Sequence, residues 1–561
     1  YVSETPYMRC LLFDNIPQDF EALKSGNPSG MTIVGSMVYQ SEVIKAILAY
    51  GSYDAYYFVR RYVWGLGQYE EGAVLRGGGE RVHVLSPTKL SSLRTIDNLV
   101  LMTAGPDLYN LLPIRHLLGR DNWPLCGIVH STNGGILTPG LLNLLLGSYG
   151  KHDSLICSTE SCKGVIERQL ETLQRHISAS WGFKPATDIH LPVIPLGVNA
   201  DCFGAIDKAA ARSQLGIAPE KTVVLYFGRF SPLAKGDLNP LIIAFRGVAA
   251  ENPDVLLVLA GDDTMHRMAA EMRASEPCRE QIDVRPDPTY EEKLKLFAAA
   301  DIFVAISDNL QETFGITVAE ALTAGLPVIA ADWDGYKDLV DHGKTGFLVP
   351  TYMPRLGLEV DLLSSSRNWL ADQILAQTTA IDPGHLQRHI SVLVRNAACR
   401  QRMGCFAREA AKRFAWKSVV QQYEQLWDAA LDNRGGPAVN PARRGSVDLY
   451  TYSYQRIFEH YPTRFIEDGD ILRLSDNPTK SLSSFGGVMN SLFDEGAFNN
   501  ILRMLEEKGP YSVAQIVDEA GRNDGLSPFV VKTHISRLLK YGAIDLCSPR
   551  SLWSQAAGNP E

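Results

Sequence analysis

Residues 307–332 read SDNLQETFGITVAEALTAGLPVIAAD, and the fold is decided here. The apolar run Ile302 to Ile306 just upstream has the length and composition of a buried strand. Ile316 to Thr323 reads as a short apolar helix, Gly325-Leu326-Pro327 as its stop, and Val328 to Ala330 as the next strand. Glu312 and Glu320 therefore stand on either side of a strand-to-helix turn. In an open parallel sheet such turns, at the carboxyl ends of the strands, line the crevice where ligands bind. The backbone N–H groups of Gly315, Ile316, Thr317 and Val318 open that helix unpaired, and their partial positive charge suits a phosphate. A carboxylate one turn in, at Glu320, suits hydroxyl donors instead, and a vicinal diol offers two.

A second segment, KTVVLYFGRFSPLAKGDLNPLIIAF over 221–245, has the same form. Val223 to Phe227 is a strand, Gly228 allows a tight exit, and Arg229 and Lys235 follow in the loop before an amphipathic helix. Two cations at a strand end can hold a diphosphate as fixed positive charge. Taken alone, either feature has a plain structural alternative: a capped core helix with solvated acids, or a surface cation pair.

The string Glu312-x7-Glu320 with Phe314-Gly315 inside it, and Ala321, Gly325, Pro327 and Val328 after it, resembles the signature of the retaining glycosyltransferases of family four, the group 1 glycosyl transferases. The resemblance implies the GT-B fold: α/β, two Rossmann-like doubly wound domains. It further implies a nucleoside diphosphate sugar, of UDP type, as donor substrate, with no cofactor and no metal. By the same resemblance Arg229 and Lys235 grip the diphosphate. Glu312 serves the chemistry and, with the backbone of Phe314, Gly315, Ile316 and Thr317, holds the sugar hydroxyls and phosphate. Glu320 holds the ribose.

Composition is that of a soluble enzyme of ordinary globular make-up, with 561 residues, 45% hydrophobic and 21% charged. No apolar run approaches the roughly 18 residues that read as a membrane span. The opening YVSETPYMRCLLFDN has no basic region or cleavable apolar core, and a chain that starts on Tyr1 leaves its native start open. Nine scattered cysteines predict reduced thiols and a cytoplasmic setting. The close pairs Cys157/Cys162 and Cys399/Cys405 lack partners at zinc spacing. A net charge of −9 argues against wholesale electrostatic binding to nucleic acid.

Alternating strand and helix patterns predict a first doubly wound domain over 1–200, with strands at Met31 to Ser36, Ala55 to Val59, Arg81 to Leu85, Asn98 to Met102, Leu125 to His130 and Asp153 to Ser158. Residues 1 to 30 receive no assignment. Strands at Val223, Val255, Ile282, Ile302, Val328 and Phe347 predict a second domain over 201–404, the donor domain of the resemblance. Ile194-Pro195-Leu196-Gly197-Val198-Asn199 resembles the family's crossing between the domains, and an amphipathic helix within 405–430 its return to the first. Residues 351–400 exceed the minimal pattern.

His130 ends an apolar run and meets Ser131-Thr132-Asn133-Gly134-Gly135, so it is expected to project into the crevice. It resembles a family His that lies beside the donor sugar, and by that resemblance it joins Glu312 as a candidate catalytic residue. A lone strand-end His also has a plain structural reading. Phosphate contact near the first helix, where the family carries a glycine pair, falls to Gly35 and Ser36, a departure from that pattern because only one glycine precedes the helix.

DNRGGPAVNPARRGS, 432–446, has linker composition. Residues 447–561 are not needed for a two-domain transferase. From Phe498 they read as a small, mainly helical domain resembling a winged helix, with Pro528 to Tyr541 in the recognition position. Lys532, Thr533, His534, Arg537 and Lys540 form its expected polar, cationic side, offset by Glu506, Glu507, Asp518, Glu519 and Asp524. That balance favours protein or peptide contact, or dimerisation, over nucleic acid.

The reading is a retaining transferase acting on an acceptor hydroxyl of a glycan, protein or small molecule. Its rivals are a sugar-nucleotide-binding regulator whose terminal module binds DNA, and a disaccharide synthase or phosphorylase on the same fold.

Overall fold

The computed structural model describes residues 8–14, 35–59, 79–85, 87–132, 134–232, 235–262, 273–274, 276–310, 312–355, 362, 368–434, 464–475, 495–540 and 542–547. The first sheet contains β1 (Cys10–Phe13), β2 (Ala55–Val59), β3 (Val82–Leu85), β4 (Leu99–Met102), β5 (Leu125–Val129) and β6 (Ser154–Cys157), in the order β3-β2-β1-β4-β5-β6. The pairings of β1 with β2 and β4, of β4 with β5, and of β5 with β6 are parallel. Every residue of β1, β4, β5 and β6 is buried, as a parallel sheet covered on both faces requires.

The strand expected at Met31 to Ser36 is not the first strand of this sheet. Gly35 and Ser36 open the helix Gly35–Tyr50, and residues 31–34 lie outside the described residues. The first strand is β1, inside the segment that received no assignment. Its four residues, CLLF, are a continuous apolar run like that of β4, and β1 is paired on both sides and buried along its length.

The second sheet contains β7 (Thr222–Phe227), β8 (Val255–Gly261), β9 (Ile282–Pro286), β10 (Ile302–Ala305), β11 (Val328–Ala331) and β12 (Gly346–Val349), in the order β12-β11-β10-β7-β8-β9. All its pairings are parallel. Read from the other edge, the order repeats the first sheet's connectivity strand for strand. Both sheets reverse winding direction between their first and fourth strands, β1 and β4 in one, β7 and β10 in the other. A doubly wound sheet opens its ligand crevice at that reversal.

The chain passes between the two sheets twice, side by side. Val198 N–H donates to the Phe414 carbonyl at 2.8 Å and Trp416 N–H to the Val198 carbonyl at 3.3 Å. A Cβ on Gly197 would lie 2.1 Å from the Trp416 ring, so that position admits only glycine. The helix Trp416–Asp432 then lies on the first domain: Trp416 stacks on Tyr39 at 5.4 Å, the Tyr423 and Tyr39 hydroxyls are 3.4 Å apart, and Asp428 pairs with Arg9 at 2.9 Å. The stretch beyond the second sheet forms a short antiparallel pair, β13 (Thr351–Tyr352) with β14 (Ala380–Ile381), and the helices Asn368–Gln377 and Pro383–Arg395.

Among its described residues the C-terminal unit has three helices, Glu495–Lys508, Val513–Asp524 and Pro528–Lys540, and an antiparallel sheet of β15 (Ile471–Leu474), β16 (Tyr511–Ser512) and β17 (Ile544–Cys547) in the order β16-β15-β17. Leu472 of β15 joins Phe498, Ile501, Ile516, Val531, Ile535 and Leu538 in one apolar core. A capping box between Ser512 and Gln515 starts the second helix. The central strand precedes the helices in sequence, which the motif reading did not anticipate. His534, expected on the cationic side, is 1% exposed, and its Nδ1 meets the Val530 carbonyl at 2.7 Å. It belongs to the core, and Lys532 is paired with Asp468 at 2.6 Å. Among the described residues no helix is long and apolar enough to cross a membrane.

One buried ion pair ties β5 to β6. Arg115 donates to Asp153 Oδ1 at 2.7 Å and to the carbonyls of Trp123 and Ser148 at 3.1 and 2.6 Å. Asp153 also accepts from the backbone N–H groups of Leu125 and Gly150, both at 2.9 Å. Removing one member strands a charge, whereas removing both does not. Arg115→Met is expected to destabilise this domain by about 3–5 kcal/mol, read from urea unfolding, and the double variant Arg115→Met, Asp153→Leu by clearly less.

Candidate functional site

The loops after β7 and β10 meet at the winding reversal of the second sheet. A Cβ on Gly236 would lie 2.2 Å from the Ile306 carbonyl oxygen, so the β7 loop can lie flush on the β10 end only with glycine there. Ser231 O accepts from the N–H groups of Lys235 and Gly236 at 2.9 and 3.0 Å. Ser307 Oγ donates to the Lys235 carbonyl at 2.8 Å. The turn thus held aims Lys235 Nζ at the buried Glu312 carboxylate, with which it forms an ion pair. Arg229, two residues beyond β7, is partly buried.

Glu312 has two further neighbours that the motif reading did not single out. The buried Tyr336 phenol hydrogen-bonds it, and burial first, then the charge of Glu312, pushes that phenol well above its ordinary pKa. Asp334 has its carboxyl pushed up to about 7, by burial foremost and then by Glu312 and Asp338. Its backbone stands at φ 41°, uncommon for a residue with a side chain. The sequence does carry a signal for them, the string Asp334-Gly335-Tyr336 shortly after the buried strand Val328–Ala331, in a strand-end loop like those of Arg229 and Glu312.

Gly315 caps the helix Ile316–Ala324 at φ 94° and supplies no side-chain hydrogen bond to it. A Cβ there would lie 2.4 Å from the Tyr336 ring, so glycine is needed for both the angle and the contact. The uncapped first turn is a place where an anion finds N–H donors. Phe314 is buried edge-on against Phe414 at 5.6 Å, and Ile316 and Thr317 are partly exposed. Glu320, one turn in, is buried, and its Oε1 lies 2.6 Å from Lys293 Nζ.

From the first domain, His130 follows β5. Its Nε2 meets the Ala104 carbonyl; a carbonyl only accepts, so Nε2 carries the hydrogen and Nδ1 is left as an acceptor. Nδ1 is buried and has no hydrogen-bond partner among the described residues. Tyr39 packs against the ring at 4.9 Å. Burial holds the imidazole pKa down at about 4, below its ordinary 6.5, against an opposing effect of the Ala104 hydrogen bond. The ring is neutral at neutral pH. The His130 carbonyl accepts from Thr313 Oγ1 at 3.1 Å, so His130 and Glu312 stand on adjoining backbone.

His130, Lys235, Glu312, Phe314, Gly315 and, through the same helix, Ile316, Thr317 and Glu320 thus follow three strand ends, those of β5, β7 and β10. Gly35 and Ser36 are placed as the first residues of the helix that carries Tyr39, and their surroundings lie outside the described residues. Among the described residues no group of three or more His, Cys, Asp or Glu side chains is arranged to hold a metal ion.

Residues 207–370 match the family model described as Glycosyl transferases group 1. The chain is 30% identical over 297 residues to a D-inositol 3-phosphate glycosyltransferase of Streptomyces bingchenggensis, covering 50% of this chain and 54% of that one. It is 35% identical over 168 residues to the enzyme of the same name from a Mycobacterium species, strain KMS, covering 28% of this chain and 36% of that one. The chain thus spans about half, or less, of the length of these curated relatives. Among solved structures, Anabaena HepE in complex with UDP superposes with a TM-score of 0.51 at 17% identity, over 75% of this chain and 100% of that one. That likeness shows the fold, two Rossmann-like domains of the GT-B class.

Because the folded His130 ring titrates near 4 and an unfolded one near 6.5, the unfolded chain takes up a proton that the folded ring refuses between those values. Stability is therefore expected to fall as pH drops from about 6.5 toward 4. His130→Gln should flatten that part of the stability-versus-pH curve, measured by urea unfolding at stepped pH.

Proposed function

We propose that this protein is a retaining glycosyltransferase that moves a sugar from a nucleoside diphosphate sugar of UDP type to an acceptor hydroxyl. The carrying observation is the meeting of Lys235 and Glu312 beside an uncapped helix start, at the winding reversal of the second sheet. The group 1 match over residues 207–370 contains all of these residues and supports the same reading. The names of the similar proteins support it further: glycosyltransferases by sequence, and a UDP complex by fold.

In this reading Arg229 and Lys235 receive the diphosphate, together with the N–H groups of the turn from Gly315 to Thr317. Glu312 exchanges its bond to Lys235 for the hydroxyls of the sugar, and its partner Tyr336 keeps the carboxylate aimed. Gly35 and Ser36 approach the phosphates from the first domain. Glu320 takes the ribose. His130, neutral, offers Nδ1 as an acceptor to a sugar hydroxyl instead of serving as a base. The bond from the anomeric carbon to the β-phosphate oxygen breaks, the acceptor oxygen bonds that carbon on the same face, and the acceptor's proton passes to the departing phosphate. Fixed cations stabilise the charge that this phosphate gains. No metal or cofactor has a part in the scheme.

The setting we propose is a reducing, cytoplasmic one, in keeping with nine free cysteines, four of them buried within the first domain. For the C-terminal unit we propose a winged-helix-like role in protein or peptide contact. The burial of His534 and the pairing of Lys532 leave its third helix with less cationic surface than groove reading needs.

A thermal-shift and hydrolysis screen against UDP-, GDP-, ADP- and dTDP-sugars tests the donor assignment, and no stabilisation by any of them would overturn it. With the active donor, Lys235→Ala and Arg229→Ala should each lower turnover by roughly a hundredfold or more. Glu312→Gln should cut turnover while leaving the melting temperature close to wild type; unaltered turnover would remove its donor role.

A further inference from the structure

Lys293 is a cation on the buried side of a helix. It belongs to Tyr290–Ala299, whose Leu296 and Phe297, three and four residues on, face the core. Its ammonium lies 5.3 Å from the ring centre of Phe227, 5.9 Å from Phe297 and 6.0 Å from Phe203. Aromatic faces attract a cation, and three of them confine this one. Phe227 ends β7, two residues before Arg229, so the confinement is at the strand end where the candidate site begins.

The confined ammonium donates to Glu320 Oε1 at 2.6 Å. The other oxygen, Oε2, is buried and has no hydrogen-bond partner among the described residues. A purely structural ion pair fills the remaining acceptor sites of a buried carboxylate, because an unfilled one is costly. Here Lys293 holds one oxygen from the core side and leaves the second unfilled.

We propose that Lys293 is a positioning residue of a nucleoside site: its caged ammonium fixes Glu320 so that Oε2 is presented to a ribose hydroxyl of a nucleoside diphosphate. The ligand class rests on the donor reading above; the dependence of ribose recognition on Lys293 is the new content. Lys293 itself touches no substrate. Its loss acts through Glu320, and only on ligands that carry the hydroxyls.

Calorimetric titration of the full chain with UDP and with 2′,3′-dideoxy-UDP tests this coupling. Wild type should prefer UDP by about tenfold, the worth of a hydrogen bond to a charged group. Lys293→Met should bind dideoxy-UDP within roughly twofold of wild type yet lose the preference for UDP, as should Glu320→Gln; residues acting through one contact are not additive. Lys293→Arg should restore part of it. With UDP-glucose, if it is turned over, Lys293→Met should raise KM and leave kcat nearly unchanged. An undiminished ribose preference in Lys293→Met overturns the proposal, as does an equal loss for both ligands, the mark of a structural role. UDP bound by wild type without ribose preference overturns this proposal and the ribose role of Glu320 but leaves the donor reading standing, whereas failure of wild type to bind UDP overturns the UDP-type donor reading as well.

Discussion

Thr313, a residue of the second domain, is hydrogen-bonded to the first at three points. Its carbonyl accepts from Ser158 Oγ at 3.2 Å and Thr159 Oγ1 at 2.7 Å, at the end of β6, while its hydroxyl donates to the His130 carbonyl at the end of β5. The same Thr159 hydroxyl accepts from the Cys162 N–H at 3.1 Å and so caps the helix Glu160–Trp181. Glu312 precedes this anchor and Phe314-Gly315 follows it. Gly335 presses on the same loop: its N–H donates to the Glu312 carbonyl at 3.2 Å, and a Cβ there would lie 2.4 Å from the Thr313 oxygen. With the backbone pinned from both sides, the Glu312 carboxylate needs little further ordering to face Lys235, and a preset group costs little when charge develops nearby.

Much of this was readable in the chain. Parallel strands buried on both faces are continuous apolar runs, and eleven of the twelve large-sheet strands fall on runs recognised as such, from Ala55–Val59 to Gly346–Val349. The exception, β1, is an apolar run of four residues followed by Asp14-Asn15, inside the lead-in that received no assignment. The Lys235 and Glu312 positions follow from strand ends and loop composition, because the winding reversal puts consecutive crossovers on opposite faces and leaves a gap. Their bond to each other was not legible, since 77 residues separate them and the sequence indicated only a shared ligand. Tyr336 and Lys293 were missed for opposite reasons. Tyr336 is marked only by its place after a buried strand and is otherwise an ordinary core residue, whereas Lys293 is marked by its own charge, a cation three and four residues ahead of Leu296 and Phe297 on an apolar helix face.

The C-terminal unit shows the limit of helix patterns more plainly. Its three helices appear where the periodicity puts them, but the strand that joins its sheet, β15, lies ahead of all of them. Charge counted along the third helix also misled at His534, because a helix of thirteen residues with Val531, Ile535 and Leu538 inward must bury whatever stands at 534 beside them.

The paired crossings at Val198 and at Phe414 to Trp416 have a mechanical consequence. Two strands of backbone, hydrogen-bonded to each other and wedged by Trp416 against Gly197, form a double-stranded pivot between the two large sheets. Both crossings tether the sheets at one place, so pulling the sheets apart there strains the covalent chain itself, while a rotation about the line of the two crossings strains neither segment. Of the rigid-body motions open to a pair of linked domains, the covalent path therefore favours one, a turn about a single axis.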